Sequence, residues 1–183
     1  MTTMSDEFGT TAWGRDWLRL AEPTSIIRPD PALPRARSLA RNDRVHDLDA
    51  TTGLIEATVR DRSRHRVRIT VPIWDEPLLA KARTVLADQP VGGDLNDSVH
   101  TALKQAGLTL APDPATRTAT CDCTSRKDPC VHLLATYVEF ARRLDERPRL
   151  ALVLRGLTTS DTPGEITRIP LGLVEVATFY GTP

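Results

Sequence analysis

The stretch Ile55-Glu56-Ala57-Thr58-Val59-Arg60-Asp61-Arg62-Ser63-Arg64-His65-Arg66-Val67-Arg68-Ile69-Thr70-Val71 reads as two strands and a turn. Ile55, Ala57 and Val59 alternate with Glu56, Thr58 and Arg60; Val67, Ile69 and Val71 alternate with Arg66, Arg68 and Thr70. Successive side chains on a strand point to opposite faces, so this pattern describes a hairpin with one apolar face. Pairing Val59 with Val67 sets Ala57 opposite Ile69 and Ile55 opposite Val71, and leaves residues 61–65 as the loop. An earlier strand, Arg44 to Leu48, joins through a turn at Asp49–Gly53 to make an antiparallel meander.

Helical patterns surround the meander. Thr11 to Leu20 carries Trp13, Trp17 and Leu20 on one face, and Pro23 stops it. The prolines at 23, 29, 31 and 34 predict an extended connector, with one helical turn over Arg35–Arg41. Asp75 caps a helix whose apolar face is Leu78, Leu79, Ala82, Val85 and Leu86. A second starts near Asp94, uses Leu95, Val99, Ala102, Leu103 and Ala106, and stops at Gly107. Leu134, Tyr137, Val138, Ala141 and Leu144 form the face of another, and Leu150–Leu154 is a short last one. The expected fold is α+β: an antiparallel meander packed with helices.

All three cysteines lie within ten residues, as Cys121-Asp122-Cys123, six residues, then Cys130-Val131-His132. Thr116 to Thr120 reads as a strand, on which positions i and i+2 share a face. Cys121 and Cys123 can therefore aim at one point. On a regular helix positions i and i+2 lie roughly 200° apart. Cys130 and His132 thus converge only if Cys130 precedes the helix that Asp128-Pro129 announces and His132 sits in its first turn. The result is a tetrahedral Cys3His site suited to one structural Zn²⁺. Three cysteines cannot all pair as disulfides, and scattered core thiols would not cluster with a histidine. Four protein ligands leave no open position for catalysis. Three thiolates and one Zn²⁺ leave a net negative charge, which Arg126, Lys127 and the helix N-terminus are placed to offset.

These residues resemble the SWIM-type zinc finger: C-x-C, a variable loop, then C-x-H at a helix start. The wider chain resembles the small actinobacterial SWIM-finger proteins. Phe8-Gly9 with Trp13-Gly14-Arg15-Asp16-Trp17, the run Arg35-Ala36-Arg37-Ser38-Leu39-Ala40-Arg41, Pro129-Cys130-Val131-His132 and Leu154-Arg155-Gly156 carry the likeness, over residues 8–157. The family's Pro-Asp-Trp after the second cysteine is here Thr124-Ser125-Arg126. Its usual Lys is Val131, its Gly and Tyr in the arginine-rich run are Ala36 and Leu39, and a hairpin Pro-Tyr is Arg64-His65. The resemblance implies DNA or protein contact, as an accessory subunit beside a Swi/Snf-type helicase ATPase.

Composition narrows the field. The 183 residues carry zero net charge, so no global basic field points to nucleic acid. Arginine outnumbers lysine 21 to 3, a ratio that a GC-rich genome also produces. No apolar run approaches the ~20 residues of a membrane span. The first residues lack the basic and apolar regions of a secretory signal. Reduced thiols then suggest a cytoplasmic protein. Residues 1–8 read as a disordered lead, 9–157 as the zinc-finger domain with the finger at 116–145, and 158–183 as a tail.

Arg60, Arg62, Arg64, Arg66 and Arg68 place five arginines in nine residues, on the hairpin's polar face and tip. A basic ribbon of this kind can follow a phosphate backbone; a solvated, charge-balanced face is the plainer alternative. The tail, polar at Ser160–Gly164 and apolar from Ile169 to Tyr180, fits either an added strand on a partner or a cover for the domain's own core. His46, His65 and His100 are read as ordinary residues, and no Ser-His-Asp, phosphate-loop or dinucleotide pattern occurs. The expectation is a non-catalytic zinc-binding interaction module that binds nucleic acid, protein or both. The alternative is a scaffold subunit that binds only protein through its tail.

Overall fold

Strand alternation and helix caps produce ten elements in a computed structural model that describes residues 8–22, 30–87, 95–113, 116 and 118–157. They are α1 (Ala12–Ala21), α2 (Leu33–Arg41), β1 (Val45–Thr51), β2 (Leu54–Arg60), β3 (Arg64–Thr70), α3 (Glu76–Ala87), α4 (Asp97–Gln105), β4 (Thr118–Cys121), α5 (Val131–Glu146) and α6 (Arg149–Leu154). The fold is α+β: one antiparallel sheet in the order β1-β2-β3-β4 packs against helices. The leading residues 1–7, the connector prolines Pro23 and Pro29, Asp94 and the tail 158–183 lie outside the described residues. Phe8, which the sequence places in the lead, is buried in the core.

The hairpin register differs from the sequence reading by two residues. Ala57 faces Val67, Ile55 faces Ile69 and Val59 faces His65, so the loop is only Asp61-Arg62-Ser63. A slip of two preserves every residue's face, which is why the apolar alternation is satisfied either way. It does move His65 into the ladder, on the same face as Val67 and Ile69. β1 also runs further than expected, to Thr51. A bulge between His46 and Asp49, with Asp47 at φ 50°, lets the pairing resume, and the turn shrinks to Thr52-Gly53.

α5 is the centre of the molecule. The expected stripe Leu134, Tyr137, Val138, Ala141 and Leu144 is buried, and so are Leu133, Ala135, Thr136 and Phe140. The helix is covered on more than one side because α1 and α2 pack on it as well as the inner face of the sheet. The arginine-rich run is longer than the single turn expected: α2 spans nine residues and starts with a proline in its first turn. Asp75 caps α3, its carboxylate accepting from Leu78 N at 3.1 Å. α4 starts at Asp97, capped by Asn96 rather than Asp94.

α1 meets α5 at very short range. The Asp145 carboxylate, near the C-terminal end of α5, accepts from Gly9 N (2.8 Å), Thr10 N (3.0 Å), Thr11 N (2.9 Å) and Thr11 Oγ1 (2.7 Å). One carboxylate thereby collects the N–H groups of the three residues leading into α1, while Ala12 N donates to Asp97 and Gly14 N to Thr11 Oγ1. The crossing works because Gly14 has no side chain: a Cβ there would lie 2.3 Å from Asp145 Oδ1 and 2.6 Å from the Ala141 carbonyl oxygen. Gly14→Ala gains about 1 kcal/mol of helix propensity. It loses about 1–3 kcal/mol to overpacking, and the backbone carbonyl cannot swing aside. A net loss of stability is expected, read as a lower midpoint in urea denaturation; an unchanged or higher midpoint would mean the helices part easily.

Candidate metal centre

β4 pairs with β3 so that Val67 faces Cys121 and Arg68 faces Thr120. Cys121 therefore lies on the inner face of the sheet, with Val67 and Ile69, and Cys123 follows at i+2. Across from them, Cys130 is the N-cap residue of α5, extended at φ −75° and ψ 167°, and His132 stands in the first turn. This is the strand-then-helix geometry that the spacing requires. The four donor atoms of Cys121, Cys123, Cys130 and His132 lie within 4.8 Å of one another. In a tetrahedral zinc site the S···S edge is about 3.8 Å and the S···N edge about 3.6 Å, from bond lengths near 2.3 and 2.0 Å. Cys121 Sγ and His132 Nδ1 stand 3.7 Å apart, which fits the second edge. The residues can hold one metal ion, and no other such group of His, Cys, Asp or Glu occurs among the described residues.

Burial sets the protonation of Cys121, Cys130 and His132. Burial, with the neighbouring Cys130 and Cys123, pushes the Cys121 thiol up to about 12. Burial likewise raises Cys130. Burial, then the His65 ring, pushes the His132 imidazole down, which keeps it neutral. Without an ion the Cys121 and Cys130 thiols thus stay protonated and the His132 ring stays neutral. An entering divalent cation displaces thiol protons, so uptake releases protons to solution.

Of the cations that the sequence reading puts near the ligands, Lys127 lines a cavity with Cys121, Cys123 and Cys130 and pairs with Asp30 at 2.6 Å, while Arg126 is exposed. A further cation, Arg35 of α2, lines the neighbouring hollow with Cys123 and His132, and its guanidinium bonds the Asp61 carboxylate at the hairpin tip. Asp61 Oδ2 is 3.7 Å from His132 Nε2. His65 stacks on the His132 ring at 4.1 Å with 25° between the planes. Sequence pattern alone does not single out Arg35, Asp61 and His65 as parts of the site. For His65 a signal exists, since strand parity puts it on the apolar face with Val67 and Ile69.

The five hairpin arginines occupy the opposite face and the tip, and all are exposed. Arg68 pairs with Glu56 at 2.8 Å across the strands, and Arg64 reaches Asp47 at 3.4 Å. Arg60 and Arg62 have no ion-pair partner among the described residues. The Arg66 N–H donates to Asp122 Oδ1 at 3.0 Å and holds that carboxyl below its ordinary range. A shallow hollow of about 670 Å³ on this face is lined by Asp47, Glu56, Thr58, Arg66, Arg68, Thr120 and Asp122, among others. His100 is buried and structural, bonded to Asp16 Oδ2 at 2.8 Å and edge-on to Trp13.

No helix among the described residues is long and apolar enough to cross a membrane. No family model matches the chain. No solved structure matches it significantly. The chain is 31% identical over 160 residues to a protein of Mycobacterium tuberculosis named "Uncharacterized protein Rv2102". The match takes in 82% of this chain and 57% of the relative, so the chain spans little more than half the length of the curated protein it matches.

Proposed function

We propose that this chain is a non-catalytic, SWIM-type module stapled by one Zn²⁺, which presents its arginine hairpin to nucleic acid as an accessory subunit beside a Swi/Snf-type helicase ATPase. Thiolate and imidazole ligands in a closed four-donor set favour structural zinc over harder cations. The observation that carries the nucleic-acid reading is the exposed outer face, where Arg60 and Arg62 lack carboxylate partners among the described residues and Arg64, Arg66 and Arg68 stand in a column along β3. Arginine forks match phosphate oxygens in geometry as well as charge.

The test is binding to labelled duplex DNA, single-stranded DNA and RNA by fluorescence anisotropy over a salt series. Wild type is expected to bind at low salt. Changing Arg62, Arg64, Arg66 and Arg68 together to Ala should weaken duplex binding and lower the log–log salt slope by about 3.6, at ~0.9 for each of the four phosphates no longer neutralised. No binding by wild type at low salt, or the same slope in the variant, would sink the reading.

A second reading has its own support. Arg64 and Arg68 are engaged by Asp47 and Glu56, and the chain's net charge is zero. A scaffold that touches only protein needs no free cations. Affinity purification from the native host separates the two: a helicase-type ATPase among the partners favours the first, an assembly without nucleic-acid enzymes the second.

A further inference from the structure

His132 has two ring nitrogens, and only one has a role in the metal centre. Nδ1 faces Cys121 Sγ. Nε2 is buried and has no hydrogen-bond partner among the described residues. A buried polar nitrogen left unpaired is costly, and in native proteins it calls for an explanation. An imidazole that binds a cation through Nδ1 carries its proton on Nε2, and that N–H needs an acceptor. Asp61 Oδ2, at 3.7 Å, lies just beyond hydrogen-bond length. A shift of well under 1 Å in either side chain closes the gap.

Asp61 is itself held for this position. Arg35 bonds its carboxylate from α2, and its backbone N–H donates to the Ser63 carbonyl at 3.0 Å, which tightens the three-residue loop. The same hairpin aims the ring from its face. His65 stacks on His132 while its own nitrogens meet Ser63 Oγ (2.8 Å) and Asp122 Oδ1 (3.2 Å). Asp122 sits between the ligands Cys121 and Cys123. The hairpin tip and the metal ligands thus share one set of contacts around a single imidazole.

We propose that Asp61 is a positioning residue of the metal centre: it accepts the His132 Nε2–H when Nδ1 takes the ion, so that metal binding and the placement of the tip bearing Arg62 are coupled. This coupling rests on the zinc reading of the Cys3His cluster. By linkage, whatever the tip adds to metal affinity the metal returns to the order of the tip. The arginine hairpin and the finger, separate features in the sequence, become one unit through this contact.

The experiment is a zinc titration of the full chain in competition with a chromophoric chelator, for wild type, Asp61→Asn and Glu76→Gln. Partners of this kind are worth about 10–100-fold in metal affinity. Asp61→Asn should lose affinity in that range, while Glu76→Gln, which removes an exposed carboxylate of α3 paired with Arg83, should match wild type. Equal affinity in all three, or an equal loss in both variants, overturns the proposal and leaves the zinc reading standing. A wild type that takes up no zinc removes both. Should Asp61→Asn fail to fold, the nitrogen NMR spectrum of zinc-loaded wild type decides. A His132 Nε2–H that is shifted downfield and slow to exchange, as a carboxylate partner makes it, supports the coupling; a freely exchanging Nε2–H or a metal-bound Nε2 overturns it.

Discussion

Stripping the ion with a chelator, or changing Cys130 to Ser, is expected to lower the melting temperature by about 8–16 °C. The figure comes from linkage: free zinc at a thousand times its dissociation constant adds about 4 kcal/mol to the folded state. A chain of this size loses about 2–4 °C per kcal/mol. The expectation rests on the thin backbone pairing around the four ligand residues. β4 is four residues long and pairs with β3 alone. Between it and α5, residues 122–130 show little regular hydrogen bonding: Asp122 N donates to the Arg66 carbonyl, and Lys127 N to Ser125 Oγ. The remaining ties are side-chain contacts at its two ends, Asp122 with Arg66 N and His65, and Lys127 with Asp30. Cys130 is also the residue from which the central helix starts, so removing a ligand there loosens the first turn of α5. Thermal unfolding followed by circular dichroism, with and without chelator, makes the measurement. An unchanged transition would mean that the cluster, though well formed, does not support the fold.

The second large effect is expected at Arg155, where Arg155→Met should cost about 2–4 kcal/mol, from stranding one buried and three partly buried carbonyls. This residue is 5% exposed. No carboxylate meets its guanidinium among the described residues; backbone carbonyls hold it instead. Nε donates to Thr109 and Leu110 (3.1 Å each), Nη1 to Pro72 (2.6 Å), and Nη2 to Thr109 (2.8 Å) and Ala111 (3.3 Å). Burial pushes its pKa down, which records the cost of holding a charge there. The fork joins the end of α6 to the segment after α4 and to the chain just past β3. Methionine fills the volume but leaves four carbonyls without this donor; that of Leu110 is buried, at about 1–3 kcal/mol, and those of Pro72, Thr109 and Ala111 are partly buried and cost less each because water can reach them. Arg155→Lys should lose less, since a single ammonium can satisfy some of the four but not the planar fork. Denaturant midpoints measure all three proteins. A methionine variant within about 1 kcal/mol of wild type, less than one stranded carbonyl is worth, would show that the carbonyls rehydrate freely.

What can be read in advance follows from range along the chain. Caps, apolar stripes and ligand spacing are local. Thr11, Asp75 and Gly107 mark helix ends as expected, and C-x-C on a strand with C-x-H at a helix start follows from two periodicities. The hairpin register does not, because alternation has a period of two and a slip of two leaves each residue on its face. Loop length decides it, and Asp61-Arg62-Ser63 carries no strong turn signal. The burial of α5 on several sides is hidden for a related reason. Its sequence shows a good apolar stripe, and only the docking of α1 and α2 explains Thr136 and Phe140 being inside as well. The Arg35–Asp61–His132 arrangement joins three segments that no local pattern connects. In the sequence Arg35 belongs to a run marked by its charge, and Asp61 lies among the loop residues 61–65 with no role of its own.

The strand order carries a consequence for the life of the metal-free chain. With β4 in place, the sheet ends in a short strand pinned by its own ligands. Should β4 peel away when the ion is lost, β3 becomes the edge, with a seven-residue row of unpaired backbone groups open to a second molecule. Arg64, Arg66 and Arg68 stand at every other position along that row. Charges so placed repel a neighbouring copy at the same register. The arginines that face outward in the loaded protein would then also serve as gatekeepers against self-association while it waits for metal.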